Sequence, residues 1–300
     1  MIICTQTAYM TRHFSLEEVL LKLKKAGFDG TDLSQFESFI KSPGFTSENW
    51  REEAARLGAF AKENGVPILQ SHAFYSFKYN DVSVKGEILP ITKKCVEFAG
   101  IAGAKRIVVH PIHHFERLFG FSYKGHEEDA YKINMEYYGA LAPVAAEYGV
   151  QICVENMWTR DPHTRYITHD TCSRAEEFCR WLDTLEERFP GVFTACLDLG
   201  HISLVGEEPP AFIRRMGKRI GALHIHDNDY KEDLHLLPGH GKLDLIPAFK
   251  ALHEVGYAGF ITLECNQFLD RQRPALFDAA LHYMAETARF YAGIAETGEE

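Results

Sequence analysis

Four apolar segments of the sequence each end in a side chain that can bind a metal ion or carry a proton. The segments occupy positions 150–156, 194–201, 221–227 and 260–266. Each is too apolar to face water on either side, which is typical of a strand buried in a parallel sheet. The side chains at the segment ends are two glutamates, an aspartate and a histidine: Glu155, Asp198, His226 and Glu264.

These four side chains predict one metal site rather than four separate features. In an α/β barrel, the carboxyl ends of all the strands surround a single cavity. Three carboxylates and an imidazole are ligands that suit a divalent cation. The alternative for any one of them is a polar residue that is simply hydrogen-bonded at the barrel mouth. Because ionisable residues end four consecutive apolar segments, a shared site is the stronger interpretation.

Further histidines and one aspartate widen the candidate site. Five residues at or just beyond the predicted strand ends are candidate additional metal ligands or substrate contacts: His72, His110, His201, Asp233 and His235. His224 precedes His226 by two residues, so it points to the same side of its strand, one layer deeper. We expect His224 to be an outer partner of a ligand rather than a ligand itself.

The pattern of the whole chain predicts the α/β class. Apolar strands alternate with helices eight times, which indicates a parallel sheet and, with eight units, a closed barrel. Strands are predicted at 2–8, 30–33, 66–72 and 106–110, and four more end at positions 155, 198, 226 and 264. We therefore predict one (β/α)8 TIM barrel domain over residues 1–300. A doubly wound open sheet is the alternative fold, but no GxGxxG turn follows the first strand.

The helices between these strands are predicted from their caps and their apolar periodicity. Ser15 and Glu18 form a capping box that starts the first helix, which ends near Gly27. The other helices are predicted at 47–64, 85–103, a segment ending at 149, 173–188, 209–216, 245–255 and 273–294. A loop insert at about 111–126 precedes the helix that ends at 149, and the acidic tail at about 295–300 is expected to be frayed.

Composition excludes several classes of protein. Hydrophobic residues make up 46% of the chain, which is enough for a sizeable core. The 42 acidic residues outnumber the 32 basic ones, and the net charge of -10 argues against nucleic acid as a partner. Seven cysteines without a CxxC pair indicate buried thiols and a reducing cytoplasm. With no signal peptide and no apolar run of about 18 residues, no membrane contact is expected. The sequence is compatible with a homo-oligomer.

The motifs together resemble those of the xylose-isomerase-like TIM barrels. This superfamily contains sugar and sugar-phosphate isomerases and epimerases, inosose dehydratases and endonuclease IV. The resemblance covers essentially the whole chain and is specific for the superfamily rather than for a substrate. The motifs that carry it are Glu155-Asn156, Asp198-x-x-His201, His224-x-His226, the loop from Asp233 to Gly241, and Thr262-Leu-Glu264.

In the D-tagatose 3-epimerase branch, the resemblance implies one divalent metal ion (Mn, Mg, Co or Zn) held by Glu155, Asp198, His226 and Glu264. It also implies that His201 contacts the substrate, a small-molecule sugar or sugar phosphate. Tyr75, Trp158 and Lys231 are further candidates for the substrate pocket. The sequence departs from that branch at Glu232, where the branch carries a substrate-binding arginine.

The endonuclease IV branch uses three zinc ions and a larger ligand set. All of its ligands have counterparts here: His72, His110, Glu155, Asp198, His201, His226, Asp233, His235 and Glu264. Both branches carry Gly-Glu-Gly after the seventh strand, where this sequence has Gly239-His240-Gly241. The loops show no basic stripe with interleaved aromatic residues, which a protein that reads DNA would need.

Three functions follow from these observations. The favoured one is a divalent-metal-dependent isomerase or epimerase of a sugar, in which Glu155 and Glu264 are the catalytic residues and move protons through an enediolate. The alternatives are a zinc-dependent nuclease acting at abasic sites, similar to endonuclease IV, and a related polyol or keto-acid lyase (dehydratase). One bound ion per chain would favour the isomerase, and three zinc ions would favour the nuclease.

Overall fold

The structure is a computed structural model that describes residues 1–75, 87–113 and 115–300, with the backbone alone for residues 37, 38 and 117. This part of the chain contains two sheets, and one of them is the barrel. The strands, in chain order, are β1 Ile2–Thr5, β2 Thr31–Leu33, β3 Ile68–His72, β4 Arg106–Val109, β5 Gln151–Glu155, β6 Trp158–Arg160, β7 Ile167–His169, β8 Phe193–Asp198, β9 Ile220–Ile225 and β10 Phe260–Leu263.

Eight of the strands form a parallel barrel. Their order is β1-β10-β9-β8-β5-β4-β3-β2. A parallel bridge between Gln6 and Asp32 joins β1 to β2 and completes the ring. Every residue of β8 and β9 is buried, because these strands face the barrel interior on one side and helices on the other. The predicted (β/α)8 TIM barrel is confirmed.

Thirteen α-helices lie in the described residues, and the longer ones surround the barrel. They are α1 Leu16–Ala26, α2 Phe36–Phe39, α3 Pro43–Thr46, α4 Trp50–Glu63, α5 Leu89–Ile101, α6 Phe115–Phe119, α7 Glu127–Tyr148, α8 Ala175–Arg188, α9 Leu199–Leu204, α10 Pro209–Met216, α11 Ile246–Glu254, α12 Asn266–Asp270 and α13 Phe277–Thr297.

The structure contains the capping box predicted for the first helix. The Ser15 side chain accepts from the Glu18 N–H, and the Glu18 carboxylate accepts from the Ser15 N–H. Gly27 then ends α1 with a φ of 103°, a left-handed conformation that favours glycine. The helix predicted at 85–103 is observed as α5, and positions 85 and 86 lie outside the described residues. The last helix continues three residues past the predicted end, to Thr297.

The sequence did not reveal the short elements around the barrel mouth. Strands β6 and β7 form an antiparallel hairpin between β5 and α8, with Trp158 opposite His169. Three-residue strands of mixed polarity carry too little alternation to be recognised. Helix α9 was also missed, because its apolar residues continue directly from β8 without a break. The insert at 111–126 contains α6.

The cysteines are buried throughout the molecule. All seven are free, as expected for Cys4, Cys153, Cys196 and Cys265 from their apolar surroundings. Cys153 and Cys196 form a layer inside the barrel with Val108 and Ala222. Burial raises the pKa of each of the seven thiols.

Across the described ranges, every helix is too short or too polar to cross a membrane.

Candidate metal centre

The carboxyl ends of the barrel strands carry most of the residues predicted to bind metal. His72, Glu155 and Asp198 are the last residues of β3, β5 and β8. Three others follow a strand by one position, after β4, β9 and β10: His110, His226 and Glu264. Because parallel strands of a barrel end at the same face, all six meet at one mouth.

Three carboxylates and a histidine form the centre of this mouth. One ligand atom each from Glu155, Asp198, His224 and Glu264 lies within 4.8 Å of the others. The His224 Nδ1 atom lies 2.9 Å from Glu155 Oε1 and 3.2 Å from Glu264 Oε2. The histidine expected below the ligands therefore has its ring directly against both glutamates.

Glu155 is the most connected member of this group. Its Oε2 atom lies 2.9 Å from His110 Nε2 and 3.5 Å from His72 Nε2. Burial alone would raise the pKa of Glu155, but the charges of His224 and His110 outweigh it and hold the pKa well below the ordinary value. Burial also tends to raise the pKa of Glu264, but the charge of His224 outweighs burial and lowers it. Both glutamates are therefore carboxylates at neutral pH.

A second group lies beside the first, on the loop after β9 and on α9. It comprises His201, His226, Asp233 and His235, whose ligand atoms lie within 4.8 Å of one another. Asp233 is central, with its oxygens 3.1 Å from His235 Nε2, 3.4 Å from His201 Nε2 and 3.6 Å from His226 Nε2.

His226 connects the two groups. Its Nε2 atom lies 3.1 Å from Asp198 Oδ1 as well as 3.6 Å from Asp233 Oδ1. The structure thus brings all nine predicted ligand residues into one continuous set. Of the four residues predicted to share one ion, His226 lies on the side of Asp198, whereas His224 is grouped with the three carboxylates.

Backbone carbonyls orient three of the histidines. The Nδ1 atoms of His72, His201 and His235 lie 2.8–3.0 Å from the carbonyl oxygens of Ala73, Asn156 and Glu264. A carbonyl only accepts, so each Nδ1 carries the hydrogen. Each Nε2 atom then faces the centre, which is the arrangement found in most metal-binding histidines.

Several buried atoms in the centre have no hydrogen-bond partner within the described residues. They include Glu155 Oε2, Asp198 Oδ2, Asp233 Oδ1 and both ring nitrogens of His226. Buried polar atoms are normally satisfied, and carboxylate oxygens that converge with an imidazole nitrogen on one place fit a cation. Gly200 adds a steric requirement, since a Cβ atom there would lie 2.0 Å from His226 Cε1. The residues present therefore fit a divalent metal ion.

The second group retains protons. Burial lowers the pKa of His235, but Asp233 outweighs burial and raises it to about 10. The pKa of His201 is also raised well above its ordinary value, against burial, by Asp198 and Asp233. A cation that binds there would have to displace these protons.

The pocket over the centre is lined by ionisable and aromatic side chains. The Tyr75 ring stacks on His110 with centroids 4.9 Å apart, and Trp158 Nε1 donates to Asp233 Oδ2 over 3.2 Å. Lys231, a candidate for this pocket, is instead exposed on the loop after β9 and does not line it. The described lining residues are His72, Tyr75, His110, His113, Glu155, Met157, Trp158, His201, Asp233, His235 and Glu264.

Two amides that were not predicted to be site residues support the ligands. Asn156 joins the ends of β5 and β8, since its side chain accepts from the Asp198 N–H and donates to the Asp198 carbonyl. Gln6 donates to Glu264 Oε1 and accepts from Asn266. The adjacency of Asn156 to Glu155 was the available signal for the first, whereas Gln6 is 258 positions away from Glu264.

Comparison with known proteins adds to this picture. Residues 20–287 match a family model described as a xylose isomerase-like TIM barrel. An uncharacterized protein of Methanocaldococcus jannaschii is 27% identical over 207 residues, which span 66% of this chain and 64% of that protein. The inosose isomerase of Bacillus velezensis is 21% identical over 277 residues, 88% of either chain.

Solved structures share the fold at low sequence identity. A D-tagatose 3-epimerase-like protein matches with a TM-score of 0.74 and 19% identity over 99% of both chains. The IOLI protein, solved with a zinc atom bound, matches with a TM-score of 0.70 and 19% identity, also over 99% of both chains.

Proposed function

This chain belongs to the xylose isomerase-like TIM barrel family, and we propose that it is a divalent-metal-dependent isomerase or epimerase of a sugar or sugar phosphate. The observation that carries the proposal is the pairing of Glu155 and Glu264. Both line the pocket, and their oxygens lie within 4.8 Å of each other and of Asp198. The inosose isomerase among the relatives and the epimerase-like fold support the same reaction class.

The two glutamates approach the pocket from separated strands. Glu155 ends β5 and Glu264 follows β10, and β8 and β9 lie between these strands in the ring. In the proposed reaction, one carboxylate removes the proton from the carbon beside the sugar carbonyl. The other returns a proton to the enediolate. Their lowered pKa values keep both groups ionised and ready to accept.

The remaining residues bind and orient. Asp198 would hold the ion together with the glutamates and His224, whose ligand atom lies within 4.8 Å of theirs, while His226, predicted as the fourth ligand, lies on the other side of Asp198. A bound divalent cation supplies Lewis-acid stabilisation of the negative charge that develops on adjacent sugar oxygens. His201 would contact a substrate hydroxyl through its Nε2 atom, since its Nδ1 donates to the Asn156 carbonyl. Tyr75 and Trp158 would form aromatic walls around the sugar.

Solvent exchange tests this function across a range of candidate substrates. The manganese-loaded protein would be incubated in D₂O with a panel of free and phosphorylated ketoses and followed by NMR. We expect deuterium at the carbon beside the carbonyl of at least one sugar, and none with Glu264→Gln. No exchange into any sugar from a metal-loaded, folded protein would contradict the proposal. Loss of water from the sugar, instead of isomerisation, would identify the lyase, whose reaction begins with the same proton abstraction.

One observation favours the nuclease as a second candidate. The His201–His226–Asp233–His235 group forms a second cluster of ligand atoms beside the carboxylate group, so the centre offers ligands for more than one ion. Metal ions close together activate water for attack on phosphorus. Elemental analysis would distinguish the two functions, because three zinc ions per chain with cleavage of a duplex at one abasic site would favour the nuclease. One ion and no cleavage above a metal-only control would favour the isomerase.

The proposed setting is the reducing cytoplasm, which the seven unpaired cysteines suit.

A further inference from the structure

Gln6 lies at the seam where the barrel ring closes, and the reaction proposed above gives it no role. It follows β1 by one position and is 5% exposed. Its N–H donates to the Leu263 carbonyl of β10 over 3.4 Å, and the parallel bridge that completes the ring joins it to Asp32 of β2. A buried amide needs partners for both its oxygen and its nitrogen, so the contacts of the Gln6 side chain show how it is oriented.

The Gln6 amide has one orientation, because an acceptor faces its nitrogen and a donor faces its oxygen. Its Nε2 atom donates to Glu264 Oε1 over 2.5 Å. Its Oε1 atom accepts from Asn266 Nδ2 over 3.0 Å. Asn266 is the first residue of α12, two positions after Glu264. Turning the amide over would place its oxygen against a carboxylate oxygen and its nitrogen against the amide nitrogen of Asn266, so both hydrogen bonds would be lost together.

The two oxygens of Glu264 have different surroundings. Oε1 accepts from Gln6, whereas Oε2 lies 3.2 Å from His224 Nδ1. Glu264 and His224 share the group of ligand atoms with Glu155 and Asp198. The terminal torsion of a glutamate is broad, so the side chain itself does not decide how its carboxylate is rotated. The hydrogen bond at Oε1 therefore restricts this rotation and, with it, the direction of Oε2.

We propose that Gln6 is a positioning residue that fixes the rotation of the Glu264 carboxylate, and that Asn266 keeps the Gln6 amide in the orientation that donates to it. Glu264 is among the described residues that line the pocket and Gln6 is not, so Gln6 acts on a substrate through Glu264. The inference rests on the proposed function for its effect on catalysis. Its effect on the metal centre can be measured without any substrate.

Replacing Gln6 by methionine tests the hydrogen bond to Glu264, because it keeps a side chain of similar length and removes the donor. We expect kcat for deuterium incorporation into the best ketose to fall by roughly 10- to 100-fold with little change in KM, since a group that moves protons is misaligned while the pocket walls are intact. Gln151→Met, at the start of β5 where the side chain donates to the Gly191 carbonyl, is the matched control and should keep the native kcat. A native kcat in a folded Gln6→Met protein would overturn the proposal.

Asn266→Asp separates the orientation of the Gln6 amide from packing at the seam. It keeps Gln6 and the shape of the neighbouring side chain, but it replaces the donor to Gln6 Oε1 by an acceptor, so we expect kcat to fall by at least about 10-fold. In the double variant Gln6→Met/Asn266→Asp, kcat should match that of Gln6→Met within about twofold, because no amide is left to turn. A native kcat in Asn266→Asp, or losses that multiply in the double variant, would contradict the orientation assigned to Gln6.

Metal affinity keeps the inference testable if no substrate is found. Titration calorimetry with Mn²⁺ alone should give a dissociation constant at least about threefold weaker in Gln6→Met and in Asn266→Asp than in the native chain and in Gln151→Met. Equal affinities in all four folded proteins would overturn the positioning role. If Gln6→Met did not fold, Asn266→Asp, at a half-buried position, would provide the test. If the native chain bound Mn²⁺ but exchanged no proton in any sugar, the proposed function would fail while the ranking of metal affinities still tested Gln6.

Discussion

At the scale of single residues, metal binding depends on which atom of each ligand side chain already makes a hydrogen bond within the protein. His72, His201 and His235 each donate from Nδ1 to a backbone carbonyl, so only Nε2 is free to face the ion. Each glutamate has one oxygen near His224 Nδ1, while the other oxygen lies near His110 in Glu155 and accepts from Gln6 in Glu264. Small changes in side-chain length should therefore have large functional effects at these positions, while changes in fold stability stay modest.

Replacing either glutamate by its amide tests this dependence. Glu155→Gln and Glu264→Gln keep the side-chain volume but remove the base and weaken the metal ligand, so each should lower turnover by at least about 100-fold. Circular dichroism should show an intact fold. The assay is the rate of deuterium incorporation into the best ketose found in the solvent-exchange screen. Activity near the native level in either variant would remove that residue from the catalytic pair.

Gly200 provides a second test at this scale. In Gly200→Ala, the new Cβ atom would overlap the His226 ring, whose Nε2 atom would lie 2.4 Å from it. The ring must then move away from Asp198, and we expect Mn²⁺ or Zn²⁺ affinity to fall by roughly 10-fold or more. Helix α9 itself should tolerate the change, because alanine is a better helix former than glycine.

The matched control for Gly200 is Gly293→Ala in α13. Among the described residues, no atom beyond the adjoining backbone of α13 would lie within 4 Å of a Cβ atom at Gly293, so metal affinity should be unchanged. Equal metal affinity in Gly200→Ala, Gly293→Ala and the native chain, measured by titration calorimetry, would show that His226 does not need its present position.

At the scale of elements, strands were far easier to predict than the segments between them. Glu155 and Asp198 were recognised because each ends a long apolar run, and a barrel brings such ends together whatever the loops do. The hairpin of β6 and β7 was missed although it carries Trp158, which hydrogen-bonds to Asp233. Its conformation depends on contacts with the loop after β9, including the Arg160–Glu232 ion pair, and these partners are about 70 positions apart in sequence.

His224 illustrates a different limit of sequence analysis. A period of two along the strand predicted that it lies one layer below the ligands, whereas its ring nitrogen lies within 4.8 Å of ligand atoms of Glu155, Asp198 and Glu264. Its contact with both glutamates depends on the register between β9 and its neighbours, where Asp198 pairs with His224 and a register shift occurs between Ala195 and Cys196. Register of this kind is a property of the assembled barrel, and no local pattern of residues specifies it.

The insert at 111–126 is attached to α8 by a buried pair, and this pair predicts a pH dependence. The Tyr123 hydroxyl donates to Glu177 Oε1, while Glu177 Oε2 is buried without a hydrogen-bond partner in the described residues. Burial raises the pKa of Glu177 to about 7, against the nearby charge of Arg174 and with that of Asp170.

Because the folded pKa lies above the unfolded one, protonated Glu177 stabilises the fold at low pH. That contribution is fully present below about pH 4.5 and is lost as the pH rises through about 7. It amounts to no more than roughly 3 kcal/mol. Glu177→Gln, which is neutral at all pH values, should therefore show a flatter stability profile between pH 5 and 8 in urea denaturation.

The exposed neighbour Glu176 offers the control for this experiment. Its side chain is 75% exposed, so Glu176→Gln should keep the pH profile of the native chain. Parallel profiles for the native protein and Glu177→Gln would mean that the Glu177 carboxyl does not titrate differently in the folded state.

At the scale of the whole molecule, the barrel is completed by the two ends of the chain. β1 pairs with β10, and α13 packs across both of them and against α1. Lys22 and Lys25 of α1 pair with Asp278 of α13 on the surface of this contact. Exposed pairs of this kind contribute little, so the apolar side of α13 should hold the closure.

Substituting Leu281 tests how much the apolar side of α13 contributes to stability. It is fully buried, and Leu281→Ala should lower the free energy of unfolding by about 2–5 kcal/mol because it leaves a cavity. Mn²⁺ affinity of the remaining folded protein should stay native, since the centre is at the barrel mouth. Leu276→Ala, at a position 54% exposed, is the control and should change stability by less than about 0.5 kcal/mol. A Leu281→Ala protein as stable as this control would show that α13 does not hold the barrel closed.

The buried cysteines can be used to measure local opening of the barrel. Cys4, Cys153 and Cys196 lie on β1, β5 and β8, so an alkylating reagent reaches each one only when that part of the molecule opens. Mass spectrometry of peptides after timed labelling would then rank the strands by how often they open, without any engineered probe. If a bound cation ties the strand ends together, labelling at Cys153 and Cys196 should slow when the metal is added, and the slowing should be greater there than at Cys95 on α5.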